Sequence, residues 1–236
     1  MPLTFTALAA ANGNTTNQST AYNGNAGTPA ANDILICYVM CSGNVAAGTL
    51  TGGGWTWNLL LSTLKNGNAD IITIWYAHAT AATSTTPSYL PAAAATGCII
   101  SCVRVTGQDG TNVPYVRQIA TGAASSNNPS VTFGVAPLTG NGILTFASNQ
   151  VNSTAQWTAP ASFTEISEVA YNTPANSLQT ASRGSGQTAA TLTWTNGNSI
   201  AWVVYAIEIY ELGTGPTAPD NFGFNSSGFF GGISTL

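Results

Sequence analysis

The sequence predicts an all-β protein: an antiparallel β-sandwich that ends in an extended C-terminal arm. From residue 32 to 211, short runs rich in Val, Ile, Leu, Thr, Trp and Tyr are separated by clusters of Asn, Gly, Pro and Ser. None of these runs keeps a helical period. With 236 residues and 44% hydrophobic content, the chain can bury a large core without a metal or a disulfide.

These runs predict at least eight strands, because each is four or more residues long and is bounded by turn-forming residues. The clearest are Asp33–Met40, Trp55–Leu64, Ile71–Ala79, Ala95–Val105, Gly142–Asn149, Phe163–Tyr171, Ser177–Arg183, Thr191–Thr195 and Ser199–Tyr210.

The order of the strands indicates an internal repeat of two four-strand halves. ANDILICYVM, GWTWNLLLS, IITIWYAH and GCIISCVRV are echoed by NGILTFAS, ASFTEISEVA, SLQTASRGS and AWVVYAIEI. The offsets are 109, 108, 106 and 104 residues, counted from Ile34 to Ile143, Trp55 to Phe163, Ile72 to Leu178 and Val103 to Ile207. The identities are few, so sandwich patterning alone is the alternative to a duplication.

Three segments follow along the chain. Residues 1–31 hold a candidate strand, Leu3–Ala9, and a polar loop that is part of the core or packs on it. Residues 32–212 form the β-sandwich domain. Residues 213–236 are a Gly-rich arm whose aromatic side chains are expected to bind a partner; they are Phe222, Phe224, Phe229 and Phe230.

Charged residues make up only 5% of the chain, where an ordinary soluble domain has about 25%. With four Lys and Arg and a net charge of −4, the chain lacks the basic surface that nucleic-acid binding needs. No apolar run has the length of a membrane span. The N-terminus has no basic segment followed by an apolar run, so we expect synthesis in the cytoplasm without a signal peptide.

The four cysteines form two C-x3-C motifs, Cys37 with Cys41 and Cys98 with Cys102. In a strand this spacing places both thiols of a motif on the same face. Zinc is disfavoured because its ligands usually sit in tight C-x2-C turns. Buried free thiols and a cross-strand disulfide both stay open, since the sequence does not say which strands are neighbours.

The sequence offers little for catalysis, and we expect neither an enzyme nor a cofactor. His78 is the only histidine, so a nucleophile–histidine triad would have to include it, and it is expected to be a hydrogen-bonded strand residue. Glu165 and Glu168 are three residues apart, which in a regular strand directs them to opposite faces. Glu208 and Glu211 have the same spacing.

Six tryptophans are the most distinctive side chains, because aromatic rings on a sandwich rim stack on sugars. Trp75 and Trp202 lie within strong strands and are predicted to belong to the core. The candidate glycan-binding residues border loops of Gly, Thr or Asn; they are Trp55, Trp57, Trp157 and Trp194.

The succession of ANDILICYVM, GWTW, IITIWYAHAT, CIISCVRVTG and TLTWTNGNSIAWVVYAIEIYE resembles the jelly-roll β-sandwich modules of tailed-phage virion proteins. These modules serve as capsid decoration (cement) proteins or as tail and fibre appendages. The resemblance covers roughly residues 32–211 and implies a jelly-roll fold and a structural or adhesive role without catalytic residues. The aromatic tail and the low charge depart from it.

From the resemblance and the tail we predict a non-enzymatic virion component, a cement protein that bridges and stabilises neighbouring capsid subunits. Its expected partners are the major capsid protein or another virion protein, and copies of itself in a homo-oligomer such as a trimer. The alternative is a carbohydrate-binding adhesin or a receptor-binding tail or fibre protein. Neutral contacts are screened less by salt than ion pairs, so the assembly is expected to tolerate high ionic strength.

Overall fold

A computed structural model describes residues 2–16, 18–44, 46–64, 70–108, 116–151, 153, 157–172, 175–196 and 200–211. The predicted arm, residues 213–236, lies outside these ranges.

The described chain is all β, with eighteen strands and no helix. The strands are β1 (Thr4–Ala7), β2 (Asn12–Asn14), β3 (Tyr22–Asn23), β4 (Ile34–Ser42), β5 (Thr49–Thr51), β6 (Asn58–Leu64), β7 (Asp70–His78), β8 (Ser88–Leu90), β9 (Gly97–Thr106), β10 (Val116–Ser126), β11 (Ser130–Thr132), β12 (Gly142–Asn149), β13 (Trp157–Thr158), β14 (Thr164–Asn172), β15 (Ala175–Arg183), β16 (Thr191–Thr193), β17 (Thr195–Asn196) and β18 (Ile200–Ile209).

Two large antiparallel sheets form the sandwich. The first sheet has the order β1-β9-β4-β7-β6, with β2 also paired to β9, and the second has the order β10-β18-β12-β15-β14. Three small sheets complete the fold: β3-β8-β5, β11-β16 and β13-β17. The predicted all-β antiparallel sandwich is confirmed. The candidate strand near the N-terminus is present as β1, at the edge of the first sheet.

Each half of the chain builds one large sheet, and the two sheets have the same strand order. Ile36 opposite Val103 in the first sheet corresponds to Leu144 opposite Ile207 in the second, at offsets of 108 and 104 residues. The predicted repeat is therefore present as a structural repeat.

Two of the predicted offsets are wrong. An offset of 109 would match Ile34, which faces the space between the large sheets, with Ile143, which faces outward. A shift of one residue turns every side chain of a strand to the other face. The second pair of strands, β6 and β14, is related by 106 residues and not 108, since the extra bulge residue is Leu60 in β6 and Ile166 in β14.

Three apolar clusters hold the layers together. The central core lies between the large sheets, where the equivalent residues Tyr38 and Phe146 stack with ring centroids 5.1 Å apart. The first outer core lies between the first large sheet and the small sheet β3-β8-β5. The second outer core lies between the second large sheet and the two other small sheets. β4 is buried along all nine residues because its two faces belong to two of these cores.

Two ion pairs occupy related places in the two halves of the fold. Arg104 of β9 pairs with the buried Asp33 at 2.6 Å. The equivalent position in β18 is Glu208, which is fully buried and pairs with Arg117 at 2.8 Å. Equivalent positions of β9 and β18 thus carry side chains of opposite charge, Arg104 and Glu208, and each forms an ion pair within its own half.

Candidate functional site

Most of the candidate sugar-binding tryptophans lie inside the protein. Three of the four assignments are wrong, because Trp57, Trp157 and Trp194 are buried, Trp194 to 1% exposure. Trp57 belongs to the first outer core, and Trp157 and Trp194 belong to the second. A ring enclosed between two sheets cannot stack on a sugar in solution.

The cause of the error is that the sequence did not show how short strands pair into small sheets over the aromatic rings. Trp157 begins β13, in a segment that reads as a loop, and Trp194 lies between β16 and β17, within the predicted strand Thr191–Thr195. The indole of Trp157 donates to Ser177 Oγ at 3.1 Å, which satisfies its polar atom inside the protein. The predicted core positions of Trp75 and Trp202 are confirmed.

Trp55 is the one candidate that keeps partial exposure. Its ring packs against the first outer core and over Gly53, whose φ of +72° places it in the left-handed region. A Cβ at Gly53 would lie 2.5 Å from the Trp55 ring, so glycine is needed both for the backbone conformation and for the ring. The glycan hypothesis therefore depends on one half-buried tryptophan.

The most exposed apolar element in the described chain is the edge strand β6. It pairs with β7 on one side, and no other described strand pairs with its second edge. Leu59 and Leu64 are 45% and 43% exposed, while Leu60 and Leu61 pack against the central core. The strand contains no charged residue and no proline. Its bulge at Leu60 leaves a regular stretch, residues 61–64, with free backbone groups.

The equivalent edge in the second half, β14, is protected by charge. At the offset of 106 residues, Glu165 stands where β6 has Leu59, and Glu168 stands where β6 has Ser62. Charged side chains on an edge strand oppose pairing with another chain. The protein therefore contains one apolar edge strand and one edge strand that carries two glutamates.

The bulge in β14 also corrects the prediction that Glu165 and Glu168 face opposite sides of the sheet. Glu165 lies opposite Ala181 and Glu168 lies opposite Gln179, and these two partners are on the same face of β15. Gln179 donates from Nε2 to Glu165 Oε2 at 2.8 Å and to the carbonyl oxygen of Trp157 at 3.2 Å. The two carboxyl groups are thus neighbours on the outer face of the second sheet.

This proximity changes the acidity of one carboxyl group. Burial, together with the nearby Glu165, raises the pKa of Glu168 to about 7, against a smaller opposite effect from a backbone hydrogen bond at Trp157. Glu168 can therefore hold or release a proton near neutral pH.

A cleft of about 470 Å³ lies between β1 and the β14–β15 pair. Its polar lining includes Thr4, Thr6, Glu165, Ser182 and Arg183. The Arg183 side chain is held by Gln187 Oε1 at 2.8 Å and by the Ser185 carbonyl oxygen at 2.9 Å. Glu165 lines this cleft and Glu168 does not, so the two carboxyl groups do not share it. The cleft offers hydroxyl, carboxylate and guanidinium groups to a small polar ligand.

Glu208 and His78, two other titratable residues named in the sequence analysis, lie in strands of the large sheets. Glu208 accepts hydrogen bonds from Arg117, Gln118, Asn141 and the Leu138 amide, so it is a satisfied internal carboxylate. His78 ends β7, as expected, but its Nε2 is buried without a hydrogen-bond partner among the described residues, contrary to the prediction.

The cysteines are free and buried, and among the described residues no group of three or more His, Cys, Asp and Glu could hold a metal ion. Within the same residues, no helix has the length and apolar character that a membrane crossing requires. The predicted partner-binding side chains, Phe222, Phe224, Phe229 and Phe230, lie outside the described ranges.

Sequence reasoning missed the edge strand as a surface. The segment was predicted only as part of the strand Trp55–Leu64, and the contrast with the glutamates of the second half becomes visible only after the two halves are aligned at the correct offset. Compared with known proteins, the chain has no significant match to a family model, a curated protein or a solved structure.

Proposed function

We propose that this chain is a non-enzymatic structural protein of a tailed-phage virion, a capsid decoration (cement) protein that bridges and stabilises neighbouring capsid subunits. The observation that carries the proposal is the apolar, uncharged edge strand β6, in contrast with its protected equivalent β14. An edge of this kind adds a strand from another chain through backbone hydrogen bonds, while its leucines lose contact with water.

The order of strand pairing supports the jelly-roll part of the proposal. In the first half, β1 pairs with β9, β3 pairs with β8 and β4 pairs with β7. In the second half, β10 pairs with β18, β11 with β16 and β12 with β15. Such nested pairs are what a long hairpin gives when it is rolled into a sandwich, as in the jelly rolls of viral capsid proteins. We therefore infer two jelly-roll units that pack through their large sheets.

The energetics favour β6 as a contact surface. Covering Leu59 and Leu64 completely would contribute about 1 kcal/mol each, since each is already about half covered in the monomer. New backbone hydrogen bonds along residues 61–64 would add to this. These contributions suit a contact that is repeated many times on a particle, where multivalency raises the total affinity.

In this proposal, the Gly-rich segment 213–236 acts as a second contact. Its four phenylalanines would each contribute about 1.5–3 kcal/mol on burial, before the cost of ordering the segment. A homo-oligomer such as a trimer would place several edges and several arms on one capsomer boundary.

The copy number of the protein in purified virions tests the proposal. Quantitative mass spectrometry against the major capsid protein should give hundreds of copies for a cement protein. A few copies per particle would instead support a fibre or baseplate component, and absence from the particle would contradict a virion role.

The second candidate is a carbohydrate-binding adhesin or receptor-binding tail protein, and the cleft beside β1 is the observation that favours it. Its hydroxyl and charged groups can hydrogen-bond a sugar, and Trp55 is a second place where a ring is partly open. A glycan array distinguishes the two candidates. Specific micromolar binding, lost in an Arg183→Ala variant, would support the adhesin, whereas cement predicts no binding.

A further inference from the structure

The four cysteines form a ladder of two facing pairs on the central strands of the first sheet. The register of β4 and β9 places Cys37 directly opposite Cys102, and Cys41 directly opposite Cys98. All four side chains face the first outer core. They are present as free thiols.

The partners in each pair lie side by side on one face of the sheet. The Cys37 thiol donates weakly to the Tyr38 carbonyl oxygen at 4.0 Å, and the Cys98 thiol donates to the Ile99 carbonyl oxygen at 3.8 Å, so no strong hydrogen bond holds either thiol away from its facing cysteine. Directly opposite residues of antiparallel strands have Cβ atoms about 4.5–5.5 Å apart, near the roughly 3.5–4.5 Å of a disulfide. By contrast, cysteines four residues apart in one strand are separated by about 13 Å, which rules out a bond within either C-x3-C motif.

We propose that this ladder is an oxidation site that forms two cross-strand disulfides, Cys37–Cys102 and Cys41–Cys98, and so locks β4 to β9. The oxidant is a small-molecule disulfide such as oxidised glutathione. One cysteine thiolate attacks the oxidant and releases one glutathione thiol, and the facing thiolate then displaces the second. Each protein disulfide breaks two S–H bonds and forms one S–S bond, and its two electrons reduce the oxidant to two thiols.

The site reacts only before the first outer core is closed. Burial raises the pKa of the Cys37 and Cys98 thiols well above the ordinary value, which suppresses the reactive thiolate in the folded protein. Tyr22 and Tyr89 of the small sheet β3-β8-β5 belong to the same core. The disulfides therefore form during folding or refolding in an oxidising medium, and the reduced folded protein resists thiol reagents.

The second half provides an internal comparison, because it contains no cysteine. At the offsets of 108 and 104 residues, Thr145 faces Ala206 and Asn149 faces Trp202 at the positions of the two cysteine pairs. Oxidation would thus stabilise one half of the protein selectively. This inference depends on strand register alone and is independent of the proposed function.

Fragment mapping after refolding tests the pairing. The full chain is unfolded with a reductant and refolded in a buffer of oxidised and reduced glutathione, with a parallel sample refolded in dithiothreitol. Cyanogen bromide cleaves after Met40, between Cys37 and Cys41, and trypsin cleaves after Lys65 and Arg104. Because Met1 is cleaved as well, Cys37 is then on fragment 2–40, Cys41 is on 41–65, and the two remaining cysteines are on 66–104.

Two single variants separate the bonds. Cys98→Ala should link fragment 2–40 to 66–104 and leave the thiol of 41–65 free. Cys102→Ala should give the reverse, with 41–65 linked to 66–104. The wild-type chain should lose four hydrogen atoms in intact mass, and its Tm should exceed that of the reduced sample by about 5–10 °C.

Reversed links in the variants, or four free thiols in wild-type protein that has refolded in the glutathione buffer, would overturn the proposal. The wild-type intact mass decides the matter even where a variant fails to refold.

Discussion

Replacing Glu168 by glutamine should remove a pH dependence of stability that the neighbouring Glu165 and partial burial create. The pKa of Glu168 rises from 4.5 to about 7 on folding. Between these values the folded protein keeps a proton that the unfolded chain releases. The free energy of unfolding therefore contains a contribution that is complete below about pH 4.5 and is lost as the pH rises through 7.

A pKa change of this size corresponds to roughly 3 kcal/mol for a side chain shielded from water. Glu168 is only partly buried, so solvent screening reduces the expected effect to about 1 kcal/mol. Since glutamine stays neutral, Glu168→Gln should stabilise the protein at pH 8 by about 1 kcal/mol more than at pH 5, or about 3 °C in Tm.

Urea denaturation of both proteins at the two pH values, followed by tryptophan fluorescence, measures this difference. Glu165→Gln is the matched control, because it removes the neighbouring charge and should weaken the pH dependence without abolishing it. The reasoning is refuted if Glu168→Gln retains the full pH dependence of the wild-type protein.

Three further predictions concern the core, the buried ion pair and the surface. Phe146→Ala, which removes the ring stacked on Tyr38, should cost about 3–5 kcal/mol in urea denaturation; a loss below 1 kcal/mol would show that the central core does not depend on this contact. Glu208→Ala leaves Arg117 without its buried partner and should cost about 3–5 kcal/mol, and Glu208→Gln should cost less, as thermal denaturation can show. Binding to capsids should persist in about 1 M NaCl, because its contacts are neutral, and release at moderate salt in a sedimentation assay would contradict this.

The strands that build the central core could be predicted closely from the sequence. β12 has the predicted bounds, and β7 and β18 differ from prediction by one residue at either end. Each of these strands is an almost continuous apolar run because both of its faces are buried, and such a run is easily recognised in a sequence. β10 was not predicted, although it is eleven residues long, because VRQIATGAASS combines small and polar residues typical of a partly exposed edge strand.

The errors in the candidate site have two physical causes. Strands of two or three residues, such as β13 and β17, are too short to show a period, so the tryptophans that they cover read as exposed. β-bulges add a residue without a composition that marks them. The bulge at Ile166 brought Glu165 and Glu168 to one face, where regular spacing would have separated them.

The central claim is that β6 is the edge through which the protein binds its neighbours, and one binding measurement tests it most directly. Capsids stripped of this protein are incubated with wild-type protein, with a Leu59→Glu/Leu64→Glu variant, or with Leu90→Glu as the control. Leu90 is 46% exposed but lies in β8 of the small sheet β3-β8-β5 and not in the edge strand. We predict saturable wild-type and control binding and at least a tenfold loss of affinity for the β6 variant, because charged side chains on an edge strand oppose pairing with another chain, and Leu59→Glu places a glutamate where β14 has Glu165. Equal binding by all three proteins would contradict the claim.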